Sequence, residues 1–141
     1  MGDSSRGRQR RNALRILFEM DINRTDLDEV VRNKKLVGEA EPTEFTLQLV
    51  QGVTVHRAWL DGLISRYAEG WDLERMPRVD RNILRIALYE LFYVEDIPPG
   101  VTIDEAVDIA KEFSTEDSGK FINGVLGRVN RDGETGDIEP G

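Results

Sequence analysis

Five arginines and no acidic residue lie within residues 6–15, near the start of the chain. Arg8, Arg11 and Arg15 are three and then four residues apart, so they share one face of a predicted helix, whereas Arg10 lies nearer its apolar edge. The planar guanidinium group matches phosphate oxygens and stacks on nucleobases. The pattern therefore predicts a surface that binds the phosphates of a nucleic acid.

The whole chain has 27 Asp and Glu against 19 Lys and Arg, a formal net charge of −8. Without the five arginines, the rest of the chain has only 14 basic residues against the 27 acidic ones and is strongly acidic. A basic patch on an acidic body attracts a polyanion locally, while the body repels it elsewhere. Two interpretations are open for the arginines. They bind RNA or DNA, which is favoured because no acid follows them before Glu19, or they only keep an exposed helix start solvated.

Residues suited to catalysis are scarce. The chain has no cysteine, and its one histidine, His56, lies inside a predicted helix beside Arg57, where we expect no catalytic role. Neither a G-x-x-x-x-G-K-[ST] nor a G-x-G-x-x-G phosphate loop occurs. The acidic face formed by Asp104, Glu105, Asp108 and Glu112 lacks a nearby histidine or cysteine and is interpreted as solvated. We predict a protein that is not an enzyme and that needs no cofactor or metal.

The elements that must position the arginines are predicted to be helices. Apolar residues follow helical periodicity over nearly the whole chain, which predicts an all-α bundle of about six or seven helices. The first helix is predicted to end between residues 22 and 25, and one long helix is predicted over residues 43–70. The T-x-x-E pattern from Thr102 to Glu105 predicts a capping box at the start of a later helix.

The helices are predicted to form a single domain over residues 1–131. Residues 132–141, with the acidic and glycine-rich sequence DGETGDIEPG, are predicted to form a disordered tail. Trp71 follows Gly70 in a connector and is interpreted as a packing anchor between the two halves of the bundle.

Sequence features also bear on the cellular compartment. No apolar run approaches the roughly 20 residues that span a bilayer, and no apolar segment of a signal peptide follows the charged start. The absence of cysteine agrees with a reducing compartment. We expect a soluble, cytoplasmic protein with no membrane partner.

Three segments closely resemble the NusB family of bacterial transcription antitermination factors. They are RRNALRILFEMD (10–21), DRNILRIALYEL (80–91) and IPPGVTIDEAVDIAKEFSTEDSGKFINGVLGRV (97–129), and STEDSGKFINGVL (114–126) is highly specific. The resemblance implies a NusB-like fold of two three-helix bundles that share a long helix, which agrees with the helix predicted over residues 43–70. It also implies binding to the boxA element of nascent ribosomal RNA together with NusE, a small-subunit ribosomal protein. Other Nus factors and the elongating RNA polymerase complete the implied complex, which suppresses premature termination.

The resemblance also assigns site residues. Those implied to contact or flank the RNA are Arg6, Arg8, Arg10, Arg11, Arg15, Phe18, Asp117, Lys120 and Phe121. Those implied to meet NusE are Asp80, Arg85, Tyr89 and Glu90, although the last three are equally suited to stabilising the bundle. Gly7 and Gln9 interrupt the arginine run. Four engaged arginines predict a slope of log K against log salt of about −3, at roughly −0.7 per phosphate on single strands.

Two alternative functions and one oligomeric state are considered beside this interpretation. Some RNA cytosine methyltransferases carry a NusB-like helical domain, but this chain is too short for their catalytic part and lacks the cysteines of that chemistry. A helical protein-interaction scaffold, whose arginines are only solubilising, stays open. A homodimer that masks the arginine surface is compatible with the abundant apolar helix faces.

Overall fold

The computed structural model of the chain describes residues 5–141, and helices are the only regular elements in that range. They are α1 (Arg6–Asn23), α2 (Leu27–Leu36), α3 (Glu44–Val55), α4 (Arg57–Tyr67), α5 (Arg78–Tyr93), α6 (Pro99–Phe113) and α7 (Glu116–Glu134), with a 3₁₀ turn at Leu73–Arg75. The predicted all-α fold class is confirmed. Within residues 5–141, no helix has both the length and the apolar character needed to cross a membrane.

Polar side chains fix the start of several helices. The side chains of Asp26, Thr43 and Thr115 each accept a hydrogen bond from a backbone N–H three residues later, at the N-termini of α2, α3 and α7. The C-terminus of α1 is capped by Arg24, whose backbone adopts the left-handed conformation with φ of 52°. The predicted end of the first helix between residues 22 and 25 is confirmed.

Helix α5 is the central element of the fold. It contacts α1 and α3 on one side and α4, α6 and α7 on the other. Its apolar stripe of Ile83, Leu84, Ala87 and Leu88 is at most 2% exposed. Burying one large aliphatic side chain of this kind contributes about 1.5–3 kcal/mol. Two groups of helices therefore share α5.

The prediction of one long helix over residues 43–70 is wrong, because α3 and α4 are separate helices that meet at His56. The Thr54 hydroxyl donates to the Val50 carbonyl oxygen at 2.8 Å, a bond that competes with the regular backbone pattern and bends helices. Helix α3 then packs on α1 and α5, whereas α4 packs on α5 and α7. The shared helix is thus α5 and not the segment over residues 43–70.

The prediction of a disordered tail over residues 132–141 is also wrong. Helix α7 continues to Glu134, and Ile138 beyond it is only 7% exposed. The Tyr67 hydroxyl donates to Asp132, and the Tyr93 hydroxyl donates to the Gly141 carbonyl oxygen. Burial, assisted by the bond to Asp132, raises the pKa of Tyr67, so this hydroxyl stays a donor. The burial of Ile138, together with these hydrogen bonds, therefore holds a mostly polar segment against the bundle.

Candidate nucleic-acid interface

The arginine-rich segment folds as the first turns of α1, with Ser5 as its N-cap. Because helical neighbours are three or four residues apart, Arg8, Arg11, Arg15 and Phe18 follow one another along one face. Arg8 and Arg15 are exposed, and Phe18 is 37% exposed. This face, which we call the α1 basic face, is defined by those four residues.

Arg10 does not belong to the α1 basic face. It is 3% exposed, and its Nε and Nη2 atoms donate to the two carboxylate oxygens of Glu90 at 2.8 and 2.7 Å. Its position near the apolar edge of α1 turns it toward α5. The structure therefore contradicts the prediction that Arg10 contacts phosphate, because its guanidinium group is buried and already paired.

The same buried network corrects the predicted capping box. Helix α6 begins at Pro99, so Thr102 and Glu105 lie beyond its first residues. The Thr102 hydroxyl donates to Glu90 at 3.1 Å, and a Glu105 oxygen lies 3.5 Å from Arg10 Nη1. These two side chains join α6 to α1 and α5 and do not cap a helix.

Arg6 and Arg11 are paired but remain accessible. Arg6 Nη1 lies 3.3 Å from Asp96 Oδ2, and the Arg6 guanidinium carbon lies 4.5 Å from the ring centroid of Phe45. The Arg6 side chain is 45% exposed. Arg11 Nε donates to Glu112 at 2.7 Å, and the Arg11 side chain is 23% exposed. Both guanidinium groups can reach solvent, so both can exchange a carboxylate for a phosphate.

The α1 basic face leads toward the junction of α6 and α7. The Arg15 guanidinium carbon lies 5.4 Å from the ring centroid of Phe113, the last residue of α6. Phe113 directly precedes the α6–α7 connector. Arg15 therefore lies against the residue from which the α6–α7 connector begins.

At that junction is a cleft of about 330 Å³, which we call the aromatic cleft. Its lining residues are Trp71, Arg75, Met76, Pro77, Asp80, Ser114, Thr115, Asp117, Ser118 and Phe121. The rings of Trp71 and Phe121 have centroids 5.6 Å apart and planes inclined by 50°. Trp71 is 51% exposed, so this residue is a wall of the cleft and not the packing anchor that the sequence predicts.

Asp80 contributes a buried acceptor to the aromatic cleft. The residue is 4% exposed, and its Oδ2 atom accepts a hydrogen bond from the Ser118 hydroxyl at 2.8 Å. Its Oδ1 atom is buried and has no hydrogen-bond partner among residues 5–141. An unpartnered buried carboxylate oxygen is costly, so a hydrogen-bond donor that reached this atom would be favoured. Aromatic walls and an acceptor suit a nucleobase that carries an amino group.

Two further predicted RNA residues lie at the start of α7. Asp117 and Lys120 are both exposed there, and Asp117 lines the aromatic cleft. The structure thus brings Asp117 and Phe121 together in the aromatic cleft, with Lys120 on the same first turns of α7. Trp71 and Arg75 were not predicted from the sequence to belong to this site. The position of Trp71 in a connector, where a large aromatic residue is unusual, could have indicated it.

Two of the residues implied to meet NusE are buried within the bundle. Arg85 is 2% exposed and donates to both carboxylate oxygens of Asp61, at 2.7 and 3.1 Å. Glu90 is 1% exposed and holds Arg10. The structure contradicts a direct protein contact through either side chain and favours the alternative, that they stabilise the bundle.

Asp80 and Tyr89 occupy different surroundings from the other two. Asp80 belongs to the aromatic cleft. Tyr89 is 8% exposed, packs on Gly52 and borders an open hollow between α3 and α5.

The single histidine, His56, stacks on Tyr93 with ring centroids 4.1 Å apart. In the part of the chain that the structure describes, no cluster of His, Asp and Glu is arranged to hold a metal.

Comparison with known proteins decides the family. The model of the NusB family matches residues 7–131. This chain belongs to the NusB family. NusB of Thermobifida fusca is 48% identical over 125 residues, which cover 89% of this chain and 88% of that protein. NusB of Symbiobacterium thermophilum is 47% identical over 138 residues, with 90% of each chain covered. Both relatives are transcription antitermination proteins, and the NusB family is one of regulatory factors and not of enzymes.

Solved NusB structures share the fold. The structure of T. maritima NusB superposes with a TM-score of 0.79 at 38% identity, covering 94% of this chain and 97% of that one. A chain of the crystal structure of antitermination factors NusB and NusE in complex with double-stranded RNA gives a TM-score of 0.73 at 28% identity. That match covers 90% of this chain and 98% of the other. The similarity extends over essentially the whole NusB fold.

Proposed function

We propose that this protein binds the boxA element of nascent ribosomal RNA together with NusE and so promotes processive elongation by RNA polymerase. The observation that carries the proposal is that, in a member of the NusB family, Arg15 of the α1 basic face contacts Phe113, the residue directly before the α6–α7 connector that lines the aromatic cleft. The fold of this chain is similar to that of a chain in the crystal structure of NusB and NusE with double-stranded RNA, and this similarity supports the proposal.

Phosphate contacts are proposed at the four arginines Arg6, Arg8, Arg11 and Arg15. Lys120 lies near the cleft and flanks the RNA without a phosphate contact of its own. Arginine forms paired hydrogen bonds with phosphate oxygens, and such contacts position a strand without reading its sequence. Arg10 is omitted because its guanidinium group is buried against Glu90. It positions the first turns of α1 on α5 and does not touch the RNA.

Base contacts are proposed at the aromatic cleft and at Phe18. An unpaired base packs against the rings of Trp71 and Phe121 in the aromatic cleft, and its amino group donates to Asp80 Oδ1. Asp117 at the rim repels phosphate, so the base and not the backbone faces the cleft. Sequence preference then arises from base edges, as is usual for unpaired RNA.

The protein partner adds positive surface that this chain lacks. A body with net charge −8 repels the rest of a transcript, so RNA binding by this chain alone is modest. A basic ribosomal protein such as NusE extends the positive surface, and the two proteins then bind RNA cooperatively through a coupling free energy. Of the residues implied to meet NusE, Tyr89 borders an open hollow, and we keep it as the proposed contact.

The salt dependence of RNA binding tests the arginine mechanism. Arg6, Arg8, Arg11 and Arg15 together predict a slope of log K against log salt of about −3, at roughly −0.7 per phosphate. The variant Arg15→Gln should reduce the slope to about −2. Fluorescence anisotropy with a labelled boxA RNA over a salt series measures both values.

Arg32→Gln is the matched control, because Arg32 is exposed on α2, outside the α1 basic face. This variant should keep the wild-type slope. A slope near zero for the wild-type protein would contradict phosphate binding by the arginines. That result would favour the second candidate function, a helical scaffold with solubilising arginines.

A further inference from the structure

The ion pair between Arg11 and Glu112 occupies a group that the proposed function gives to RNA. Arg11 Nε donates to Glu112 Oε2 at 2.7 Å, and Arg11 Nη1 donates to the Gly7 carbonyl oxygen at 3.0 Å. An oxygen of a second carboxylate, that of Glu105, lies 3.9 Å from Arg11 Nη1. Helix α6 thus presents acidic groups to the basic first turns of α1.

The burial of this pair differs sharply from that of its neighbour. Arg10 and Glu90 have side chains 4% and 1% exposed, so separating them would leave two buried charges unpaired. The side chains of Arg11 and Glu112 are 23% and 50% exposed. Water can solvate Glu112 when it leaves Arg11, and exposed pairs are held only weakly. The Arg10 pair is therefore fixed, and the Arg11 pair is exchangeable.

The local backbone favours the close approach of these charges. Gly7 lies on α1 where a Cβ atom would overlap the Glu105 carboxylate and crowd the Arg11 guanidinium group. Any larger residue at this position would displace the Glu105 carboxylate. Gly7, which interrupts the arginine run, therefore leaves room for the Glu105 carboxylate of α6 beside the Arg11 guanidinium group.

We propose that Glu112 is an internal competitor of RNA for Arg11. Its carboxylate occupies the Nε donor of Arg11, which a phosphate oxygen would also use, so RNA must displace Glu112 before it binds that donor. The effect is a lower affinity for RNA in the absence of partners. This inference rests on the proposed function, because it requires that Arg11 contacts phosphate.

The test is anisotropy with labelled boxA RNA and four proteins: wild type, Glu112→Gln, Arg11→Gln and the double variant. Glu112→Gln should bind about two- to five-fold tighter than wild type, the range expected for release of one exposed ion pair. Arg11→Gln should bind more weakly than wild type. Adding Glu112→Gln to Arg11→Gln should change nothing, because the competition needs both side chains.

Asp108→Asn is the matched control. Asp108 is exposed on α6 one turn before Glu112, and no ion pair joins it to Arg11 within residues 5–141. This variant changes net charge by the same amount and should bind RNA as the wild type does. Circular dichroism and thermal unfolding should show the same helical fold for all variants.

Each outcome has a defined meaning. Unchanged affinity for Glu112→Gln, or an equal gain in the Arg11→Gln background or in Asp108→Asn, overturns the competition while RNA binding by the wild type still upholds the proposed function. Absence of RNA binding by the wild-type protein with its partner overturns the proposed function and the inference together. A gain confined to proteins that keep Arg11 supports both.

Discussion

Replacing Glu90 with glutamine is expected to lower the free energy of unfolding by about 3–5 kcal/mol, because it leaves the Arg10 charge buried without its counter-ion. Glu90 is 1% exposed and binds Arg10 through both carboxylate oxygens. It also accepts a hydrogen bond from Thr102. Three helices, α1, α5 and α6, therefore lose a common contact.

Equilibrium unfolding in urea, followed by circular dichroism, measures this effect. Glu112→Gln is the control, because removal of an exposed pair should cost only about 0–1 kcal/mol. The double variant Arg10→Met with Glu90→Leu should recover most of the lost stability, since apolar side chains of similar volume replace a buried ion pair well. A loss below 1 kcal/mol in Glu90→Gln would contradict the fixed role that burial assigns to Arg10.

The second large effect is expected at the aromatic cleft. Replacing Phe121 with leucine keeps an apolar side chain but removes the flat ring that faces Trp71. Stacking on one aromatic residue contributes about 1–3 kcal/mol per base, so affinity for boxA RNA should fall by about five- to 150-fold. The salt slope should stay at the wild-type value, because no phosphate contact is lost.

Phe92→Leu is the matched control for Phe121→Leu. Phe92 is also partly buried, but it packs edge-on against Trp59, with ring centroids 5.1 Å apart, at the far end of α5. It should leave RNA affinity unchanged. Wild-type affinity in Phe121→Leu would remove the cleft from the proposed RNA surface.

The helices were predictable from the sequence, but their breaks and anchors were less so. Apolar periodicity indicates every helix on which the fold depends, and Arg24 ends α1 where turn-forming residues predict an end. Apolar periodicity does not report the break at His56, nor the hydrogen bond from the Thr54 hydroxyl to the Val50 carbonyl oxygen near it. The packed tail depends on the burial of Ile138 and on the hydrogen bonds from Tyr67 and Tyr93, which an average over an acidic segment conceals.

The candidate site was predictable in its residue types and less so in its geometry. The arginine spacing indicates the α1 basic face, and the resemblance to the NusB family implies Phe121. Neither indicates that Glu90, 80 residues away, pairs with Arg10, because that contact exists only after α1 packs on α5. The same holds for the unpartnered oxygen of Asp80, which depends on the approach of α7.

One measurement tests the proposed function most directly. Anisotropy with boxA RNA and a scrambled RNA of equal length, with and without NusE and over a salt series, separates sequence recognition from general attraction. The account predicts tighter binding to boxA, a further gain with NusE, and a salt slope of about −3. Equal binding to both RNAs under every condition would contradict it and would leave only a basic helical bundle without boxA recognition.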